Sequence, residues 1–123
     1  MKKILIVDDN EIDRMILNSY FENKFRVLEV DNGPEALDYV DKHMPDLVLL
    51  DILMPGIQGD DICYNLKKIE KTKDIPVVFV SSMSLEDYEN TYGSLIADAY
   101  LTKPHDPAKT IATVEKLLFP EAE

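Results

Sequence analysis

The sequence predicts one α/β domain built on a parallel β-sheet. Five short apolar runs alternate with five segments in which apolar residues recur at helical spacing, a pattern typical of repeated βα units. Four of these runs end in groups suited to a metal ion or a phosphate, namely Asp8-Asp9, Asp51, Ser81-Ser82 and Lys103-Pro104. Open α/β sheets bind ligands just outside the carboxyl ends of their strands. We therefore expect these groups to meet at one edge of the sheet.

The first half of the chain begins with two strands and two helices. The first strand is predicted at residues 3–7, and Asn10 can cap a helix that runs to about Asn23. Residues 25–30 suit an edge strand, and Pro34 fits the first position of a second helix. The apolar residues at helical spacing are Ile12, Met15, Ile16 and Tyr20 in the first helix, and Ala36, Leu37, Val40 and Met44 in the second.

The third predicted strand is the most strongly apolar part of the chain. Residues 47–50 are all Leu or Val, which is typical of a strand covered on both faces. This strand and the first one should therefore lie centrally. Asp51 follows immediately, and taken alone it could equally be a helix cap or a turn residue. Its interest comes from the polar groups that end the other strands.

The second half of the chain supplies two more strands and three helices. Asp60 and Asp61 mark the start of a third helix, and Asp106 can cap the last one. The fourth strand is expected to begin at Ile75-Pro76, and the fifth strand is expected to span about residues 98–102. Ser84 can cap a fourth helix, although Gly93 weakens it. The apolar residues at helical spacing are Ile62, Leu66 and Ile69, then Leu85, Tyr88, Tyr92, Leu95 and Ile96, and finally Ile111, Val114, Leu117 and Leu118.

Composition narrows the range of functions. The chain has 123 residues, and 24 acidic against 13 basic residues give a net charge of −11, which argues against direct binding to nucleic acid or an anionic membrane. Cys63 is the only cysteine, so no internal disulfide can form, and we interpret it as packing. No stretch approaches the roughly 20 apolar residues of a membrane span. These features predict a cytoplasmic location.

The strand-end residues predict phosphoryl transfer. Asp8, Asp9 and Asp51 would repel one another, and a hard cation such as Mg²⁺ would relieve that repulsion. Lys103 could pair with a carboxylate or with a phosphate, and Ser81 could donate to a phosphoryl oxygen. An aspartate carboxylate can attack phosphorus and form an acyl phosphate. Together these groups point to Asp51 as the acceptor.

The same residues carry a resemblance to a known family. Residues 7–9, 51–55 with Gly59, 76–82 and 98–104 resemble, in order and spacing, the response-regulator receiver domain of two-component signalling, of the stand-alone CheY-like type. The resemblance covers essentially the whole chain. It implies a single doubly wound (βα)5 domain over residues 1–123 with the flavodoxin-like strand order 2-1-3-4-5 and no separate output domain.

The resemblance also implies a role for each site residue. Asp51 would accept a phosphoryl group from a histidine kinase or a histidine phosphotransfer protein. Asp9 would bind Mg²⁺ directly, Asp8 would bind it through water, and Asp51 and the backbone carbonyl of Leu53 would complete the protein's ligands. The only chemistry implied is the protein's own phosphorylation and dephosphorylation, so it would not be an enzyme acting on a separate substrate.

Further residues would contact the phosphoryl group or transmit phosphorylation to the protein surface. Ser81 and Lys103 would hold the phosphoryl oxygens, and Ser81 with Tyr100 would form a switch that turns the ring inward on phosphorylation. Leu53 and Met83 would flank the phosphoryl group; both are apolar, so attack by water should be slow. The resemblance also implies a cis bond between Lys103 and Pro104.

A few positions depart from the family pattern. Gln58 stands where an acidic residue or Asn is usual, Ile96 replaces a usual Gly, and His105 replaces a usual apolar residue. We interpret His43 and His105 as surface residues or as residues behind the site. Neither has metal-ligand spacing with another His or Cys.

The preferred hypothesis is a phospho-accepting switch that signals through protein contacts as a monomer or weak dimer. Its changed surface would be the fourth helix, fifth strand and fifth helix, and the downstream partner is unknown. Two alternatives remain: a binding module that works without phosphorylation, and a metal-dependent phosphatase that uses Asp51 as nucleophile. Leu53 stands where phosphatases resembling haloacid dehalogenases carry a second Asp, which argues against the phosphatase.

Overall fold

A computed structural model describes residues 1–56 and 58–121, in which five strands alternate with five helices. The strands are β1 (Lys3–Val7), β2 (Arg26–Val30), β3 (Leu47–Asp51), β4 (Val77–Ser81) and β5 (Ala99–Thr102). The helices are α1 (Glu11–Phe21), α2 (Gly33–His43), α3 (Gly59–Lys68), α4 (Leu85–Tyr92) and α5 (Pro107–Leu118). All strand pairs are parallel, in the order β2-β1-β3-β4-β5. The predicted fold class and strand order are confirmed.

The pairing register of the sheet places the carboxyl ends of its strands side by side. Val7, the last residue of β1, pairs with Leu50 near the end of β3. Ser81 at the end of β4 pairs with Thr102 at the end of β5. The backbone N–H of Lys103 donates to the carbonyl of Ser81 at 2.7 Å, which continues this pairing beyond β5. The polar residues that follow these strands therefore share one edge.

Apolar packing covers both faces of the sheet. On one face, Leu17 and Phe21 of α1 and Val114 of α5 pack against strand residues. On the other face, α2, α3 and Tyr88 of α4 pack against the alternate strand residues. All five residues of β3 are buried, as expected for the central strand. Each fully buried Leu or Val contributes roughly 1.5–3 kcal/mol through removal from water. Within the described residues, no helix is both long and apolar enough to cross a membrane.

The three predicted helix caps are confirmed. The side chains of Asn10, Ser84 and Asp106 each accept a backbone N–H three residues ahead. Asn32 caps α2 in the same way, which was not predicted. Each such cap typically contributes about 1 kcal/mol. The Lys103–Pro104 peptide bond is cis, as the family resemblance implied.

The predicted apolar stripe of α1 is partly wrong. Ile12 and Met15 are 66% and 62% exposed, whereas Leu17 and Phe21 fill the core. Apolar residues with helical spacing occur on two faces of this helix, and the face that contains Leu17 and Phe21 packs against the sheet. The helix also ends at Phe21, two residues before the predicted end.

Two other helices are shorter than predicted. α4 ends at Tyr92 because Gly93 has a left-handed φ of 94°, which leaves Leu95 and Ile96 outside the helix. Leu95 still packs against the core, whereas Ile96 is 39% exposed. α3 ends at Lys68, so Ile69 follows the helix and is half exposed rather than part of a buried stripe.

Candidate functional site

Three carboxylates meet at the carboxyl ends of β1 and β3. Oxygen atoms of Asp8, Asp9 and Asp51 all lie within 4.8 Å of one another. Asp8 and Asp51 are buried, at 1% and 6% exposure, whereas Asp9 is open to solvent. β1 and β3 are neighbours in the sheet, and their ends are level, so this grouping follows directly from the strand order.

Backbone groups fix the orientation of the two buried carboxylates. Asp51 Oδ1 accepts the backbone N–H of Leu53 at 3.0 Å, and Asp8 Oδ1 accepts the backbone N–H of Asn10 at 2.8 Å. The Arg14 guanidinium donates to the carbonyl of Asp8 at 2.8 Å, so α1 also holds the loop after β1 in place. These bonds leave the second oxygen of each buried carboxylate free to face the site.

Gly59 allows α3 to start directly beneath the end of β3. A Cβ atom at this position would lie 2.6 Å from the carbonyl oxygen of Asp51 and 2.6 Å from Cα of Ile52. Both atoms belong to the backbone, so a side chain would push the strand end aside. The backbone N–H of Gly59 instead donates to the carbonyl of Ile52 at 3.2 Å.

The cluster perturbs the acidity of Asp51. Burial raises the pKa of Asp51 to about 6, and the nearby charge of Asp8 also raises it, against the opposing hydrogen bond from Leu53 and the charge of Lys103. Burial and the charge of Asp8 both disfavour the ionised form of Asp51, and a cation in the cluster would stabilise that form. The donor set consists of hard carboxylate oxygens, which suits Mg²⁺. Asp8, Asp9 and Asp51 would therefore hold such an ion.

Lys103 extends into the cluster from the end of β5. Its Nζ atom lies 2.9 Å from Asp13 Oδ2, 3.1 Å from Asp8 Oδ2 and 3.6 Å from Asp51 Oδ2. Burial lowers the pKa of Lys103, but the hydrogen bond to Asp13 and the charges of Asp51 and Asp8 more than offset burial and raise it above its ordinary value. Lys103 therefore remains a fixed positive charge opposite Asp51.

Asp13 was not predicted to belong to the site, whereas His105 was predicted to lie either at the surface or behind the site. Asp13 lies in the first turn of α1, which begins after Asp9, so helical spacing from Asp9 gave no signal that its side chain faces the site. Its second oxygen lies 3.1 Å from Nε2 of His105, and the His105 side chain is only 6% exposed. Of the two places proposed for His105, the structure supports the one behind the site and not the surface.

Ser81, Met83 and Tyr100 form a second hydrogen-bonded group next to the cluster. The buried hydroxyl of Ser81 accepts the backbone N–H of Met83 at 3.0 Å. The Tyr100 hydroxyl donates to the backbone carbonyl of Met83 at 2.8 Å. The Tyr100 ring packs against Phe79 and Tyr88, with centroids 6.4 and 5.6 Å away. The Tyr100 ring therefore points inward, toward the core.

Two tyrosines of α4 connect this helix to the start of α3. The Tyr88 hydroxyl donates to Asp60, and the Tyr92 hydroxyl donates to Gln58 Oε1 at 3.0 Å. Burial raises the pKa of Tyr88, and its bond to Asp60 adds to that increase. Gln58, one of the positions that depart from the family pattern, therefore links the loop after β3 to α4.

A doubly wound parallel sheet with an acidic cluster facing a lysine at its strand ends defines the receiver-domain class of signalling protein. The profile of the response regulator receiver domain matches residues 4–115, and the chain belongs to this family. Receiver domains are switches of two-component signalling that bind Mg²⁺ in an acidic pocket and interact with histidine kinases and downstream effectors.

Known relatives agree with this assignment. The chain is 30% identical to the polar-differentiation response regulator DivK of Brucella anthropi over 118 residues, which cover 95% of this chain and 96% of DivK. It resembles the solved response regulator TrrA of Thermotoga maritima, in complex with Mg²⁺-BeF, at 34% identity and a TM-score of 0.85, covering 96% of this chain and 100% of TrrA. A response regulator structure from Chloroflexus aurantiacus matches at 28% identity and a TM-score of 0.86, covering 95% of this chain and 97% of that one.

Proposed function

We propose that the protein is a phospho-accepting switch in which Asp51 receives a phosphoryl group from a phosphohistidine donor. The observation that carries this proposal is the position of Asp51. Its carboxylate lies inside the cluster with Asp8 and Asp9, and its Oδ2 atom lies 3.6 Å from the ammonium of Lys103. This arrangement offers a nucleophile and a fixed positive charge at one point.

The residues divide the chemistry between them. A carboxylate oxygen of Asp51 attacks phosphorus, the phosphorus–nitrogen bond to the donor histidine breaks, and that nitrogen keeps the electron pair. When bound, Mg²⁺ would neutralise charge on the phosphoryl oxygens. Lys103 supplies a second positive charge, and the buried hydroxyl of Ser81 can donate its hydrogen to a phosphoryl oxygen while its oxygen accepts from Met83. We also propose the backbone carbonyl of Leu53 as a ligand of the ion.

A relative supports the same chemistry here. TrrA is described in complex with Mg²⁺-BeF, and TrrA covers almost the whole of this chain at 34% identity. A beryllofluoride group beside Mg²⁺ needs carboxylate ligands and a cation of the kind that Asp8, Asp9, Asp51 and Lys103 provide. The intact site argues against a binding module that works without phosphorylation, and the apolar Leu53 argues against a phosphatase.

The first test is phosphoryl uptake from acetyl phosphate, measured by intact mass. Wild-type protein with Mg²⁺ is expected to gain one phosphoryl group, whereas Asp51→Asn and wild type in EDTA are expected to gain none. Asp31→Asn is the matched control, because Asp31 is an exposed aspartate that directly follows β2, at the same edge of the sheet. Equal uptake by Asp51→Asn would refute the acceptor, and equal uptake in EDTA would refute the role of the metal.

We further propose that phosphorylation acts on the surface of α4, β5 and α5 through Tyr100. The inward ring and its bond to the Met83 carbonyl form one arrangement of a two-state element. We propose that a phosphoryl group at Asp51 stabilises this arrangement, so that phosphorylation favours the inward position of the ring, as predicted from the sequence. Ser81 connects the acidic cluster with Tyr100, because its hydroxyl accepts the backbone N–H of Met83 and the carbonyl of Met83 accepts from Tyr100.

This output predicts localised changes in NMR spectra. Adding beryllofluoride with Mg²⁺ should shift backbone amide signals mainly in residues 82–105, because that segment contains the bonds of Met83 and Tyr100. Tyr100→Phe keeps the ring but loses the hydroxyl bond, and it should reduce the shifts in α4 without preventing beryllofluoride binding. Shifts confined to the residues around Asp8, Asp9 and Asp51 would contradict the proposal.

A further inference from the structure

The closest partner of Lys103 is a carboxylate outside the acidic cluster. Asp13 Oδ2 lies 2.9 Å from Lys103 Nζ, closer than either Asp8 at 3.1 Å or Asp51 at 3.6 Å. Asp13 belongs to the first turn of α1, and its side chain is 21% exposed. Burial raises the pKa of Asp13, but its bonds with Lys103 and His105 outweigh this effect and lower it below its ordinary value. Asp13 is therefore ionised in the neutral range.

A buried histidine holds Asp13 in this position. His105 Nε2 lies 3.1 Å from Asp13 Oδ1, the oxygen that does not contact Lys103. An ionised carboxylate only accepts hydrogen bonds, so Nε2 carries the proton and donates. The His105 side chain is 6% exposed, and its backbone lies two residues after Lys103. Both oxygens of Asp13 are thus engaged by one short segment that follows β5.

We infer that Asp13 is a positioning residue that restrains Lys103, with His105 as its anchor, and that this restraint opposes phosphoryl binding at Asp51. The inference rests on the proposed phospho-acceptor function. The restraint by Asp13 is expected to remain when Mg²⁺ binds, because the ion would contact the other two carboxylates that face Lys103 and not Asp13. Asp8 and Asp51 belong to the cluster that would hold the ion, and both would exchange part of their contact with Lys103 for the metal. Asp13 lies outside that cluster, so its contact with Lys103 persists.

The restraint has two physical components. The ammonium of Lys103 has three hydrogens, and the bond to Asp13 occupies one that a phosphoryl oxygen could otherwise use. The negative charge of Asp13 also lies next to the position where a charged phosphoryl group would contact Lys103. Both components oppose phosphoryl binding. Asparagine at position 13 removes the charge but has a single oxygen, so if that oxygen accepts from Lys103 its amide NH2 faces Nε2 of His105. The Asp13→Asn variant therefore removes the charge and weakens the anchor together.

The test compares two variants in the same turn of α1. We expect Asp13→Asn to increase the rate of labelling by acetyl phosphate at least about threefold and to tighten beryllofluoride binding by a similar factor, measured by NMR titration at fixed Mg²⁺. Glu11→Gln removes one exposed negative charge from that turn without touching Lys103, and it should change both quantities by less than half as much. Damage to the structure would weaken binding, so a gain cannot come from loss of folding.

The anchor is tested by a double-mutant cycle. His105→Phe should increase labelling in the same direction but by less than Asp13→Asn, and it should add nothing in the Asp13→Asn background. Unchanged or slower labelling by Asp13→Asn, with wild type labelled normally, would overturn the restraint alone. An equal gain in Glu11→Gln would assign the effect to general charge and would also overturn it. Absence of labelling in wild type would refute the phospho-acceptor function, and the restraint with it.

Discussion

Replacing Asp51 with asparagine is expected to stabilise the protein without metal by about 2–3 kcal/mol at neutral pH. The reason is that Asp51 is buried beside Asp8, which raises its pKa to about 6 from an ordinary value of 3.8. Folding therefore favours the protonated acid, and the ionised form at pH 7 is destabilising. Asparagine resembles the neutral acid and can still accept the N–H of Leu53 through its side-chain oxygen.

The sign of the pH dependence follows from linkage. A carboxyl with a raised pKa binds protons more tightly in the folded state, so its favourable contribution is complete below pH 4 and is lost as the pH rises to about 6. The advantage of Asp51→Asn over wild type should therefore be small at pH 4, grow between pH 4 and 6, and remain constant above that range.

Urea unfolding in EDTA at several pH values measures this effect. Asp31→Asn is the control, because this exposed aspartate at the end of β2 should change the free energy of unfolding by less than about 0.5 kcal/mol. Mg²⁺ should narrow the difference by stabilising wild type more than Asp51→Asn. A destabilised Asp51→Asn, or a difference that does not change with pH, would show that the carboxylate is not repelled in the folded protein.

The second large effect concerns the lifetime of the acyl phosphate. Leu53 and Met83 are tied to the site through their backbones, since their N–H groups donate to Asp51 and Ser81. Neither side chain can hydrogen-bond or deprotonate an attacking water, so we propose slow autodephosphorylation. Leu53 is 40% exposed and shields the site less than the sequence suggests, so the effect depends more on missing polar groups than on bulk.

A double substitution tests this lifetime. Leu53→Asn with Met83→Glu introduces groups that can orient water, and it should shorten the lifetime at least about tenfold, equivalent to about 1.4 kcal/mol in the barrier. The control is Leu53→Ala with Met83→Ala, which removes bulk and adds no polar group. If the polar pair loses its phosphoryl group no faster than wild type, these positions do not control water. If the alanine pair is equally fast, bulk rather than polarity is responsible.

The alternation of apolar runs with helical segments was enough to predict the α/β fold, the family resemblance implied the strand order, and the strand-end residues predicted the acidic cluster. The apolar runs of β1 and β3 have one stable location, the centre of a covered parallel sheet, and Asp8, Asp9 and Asp51 meet because those strands are neighbours. Such predictions succeed because strand order and register determine the positions of residues that directly follow strands.

Side-chain partners on helices were harder to predict. No local sequence signal marks Asp13, and its bond with Lys103 depends on how α1 packs beside β1 and α5. The buried face of α1 was uncertain for the same reason, because Ile12 and Met15 fit a helical stripe as well as Leu17 and Phe21 do. Rotation of a helix about its axis is decided by packing across the whole domain.

The position of the Tyr100 ring could not be predicted from the sequence either. Its aromatic character and its place in β5 identified it as a switch candidate, but its inward packing depends on Tyr88 from α4 and the Met83 carbonyl. The end of α4 at Gly93 follows from a left-handed φ, which the glycine permits but does not require. Local sequence therefore identified the participants, and tertiary contacts determined their arrangement.

The most direct test of the central claim is to locate the phosphoryl group. Protein labelled by acetyl phosphate with Mg²⁺ is reduced with borohydride, which converts an aspartyl phosphate to an alcohol, and its peptides are sequenced by mass spectrometry. We expect the reduced residue at Asp51 and at no other carboxylate, because Asp51 ends the central strand opposite Lys103, whereas Asp8 and Asp9 would be occupied by the ion. Reduction at Asp8, Asp9 or Asp13, or a phosphoryl group on a histidine or serine, would contradict the account.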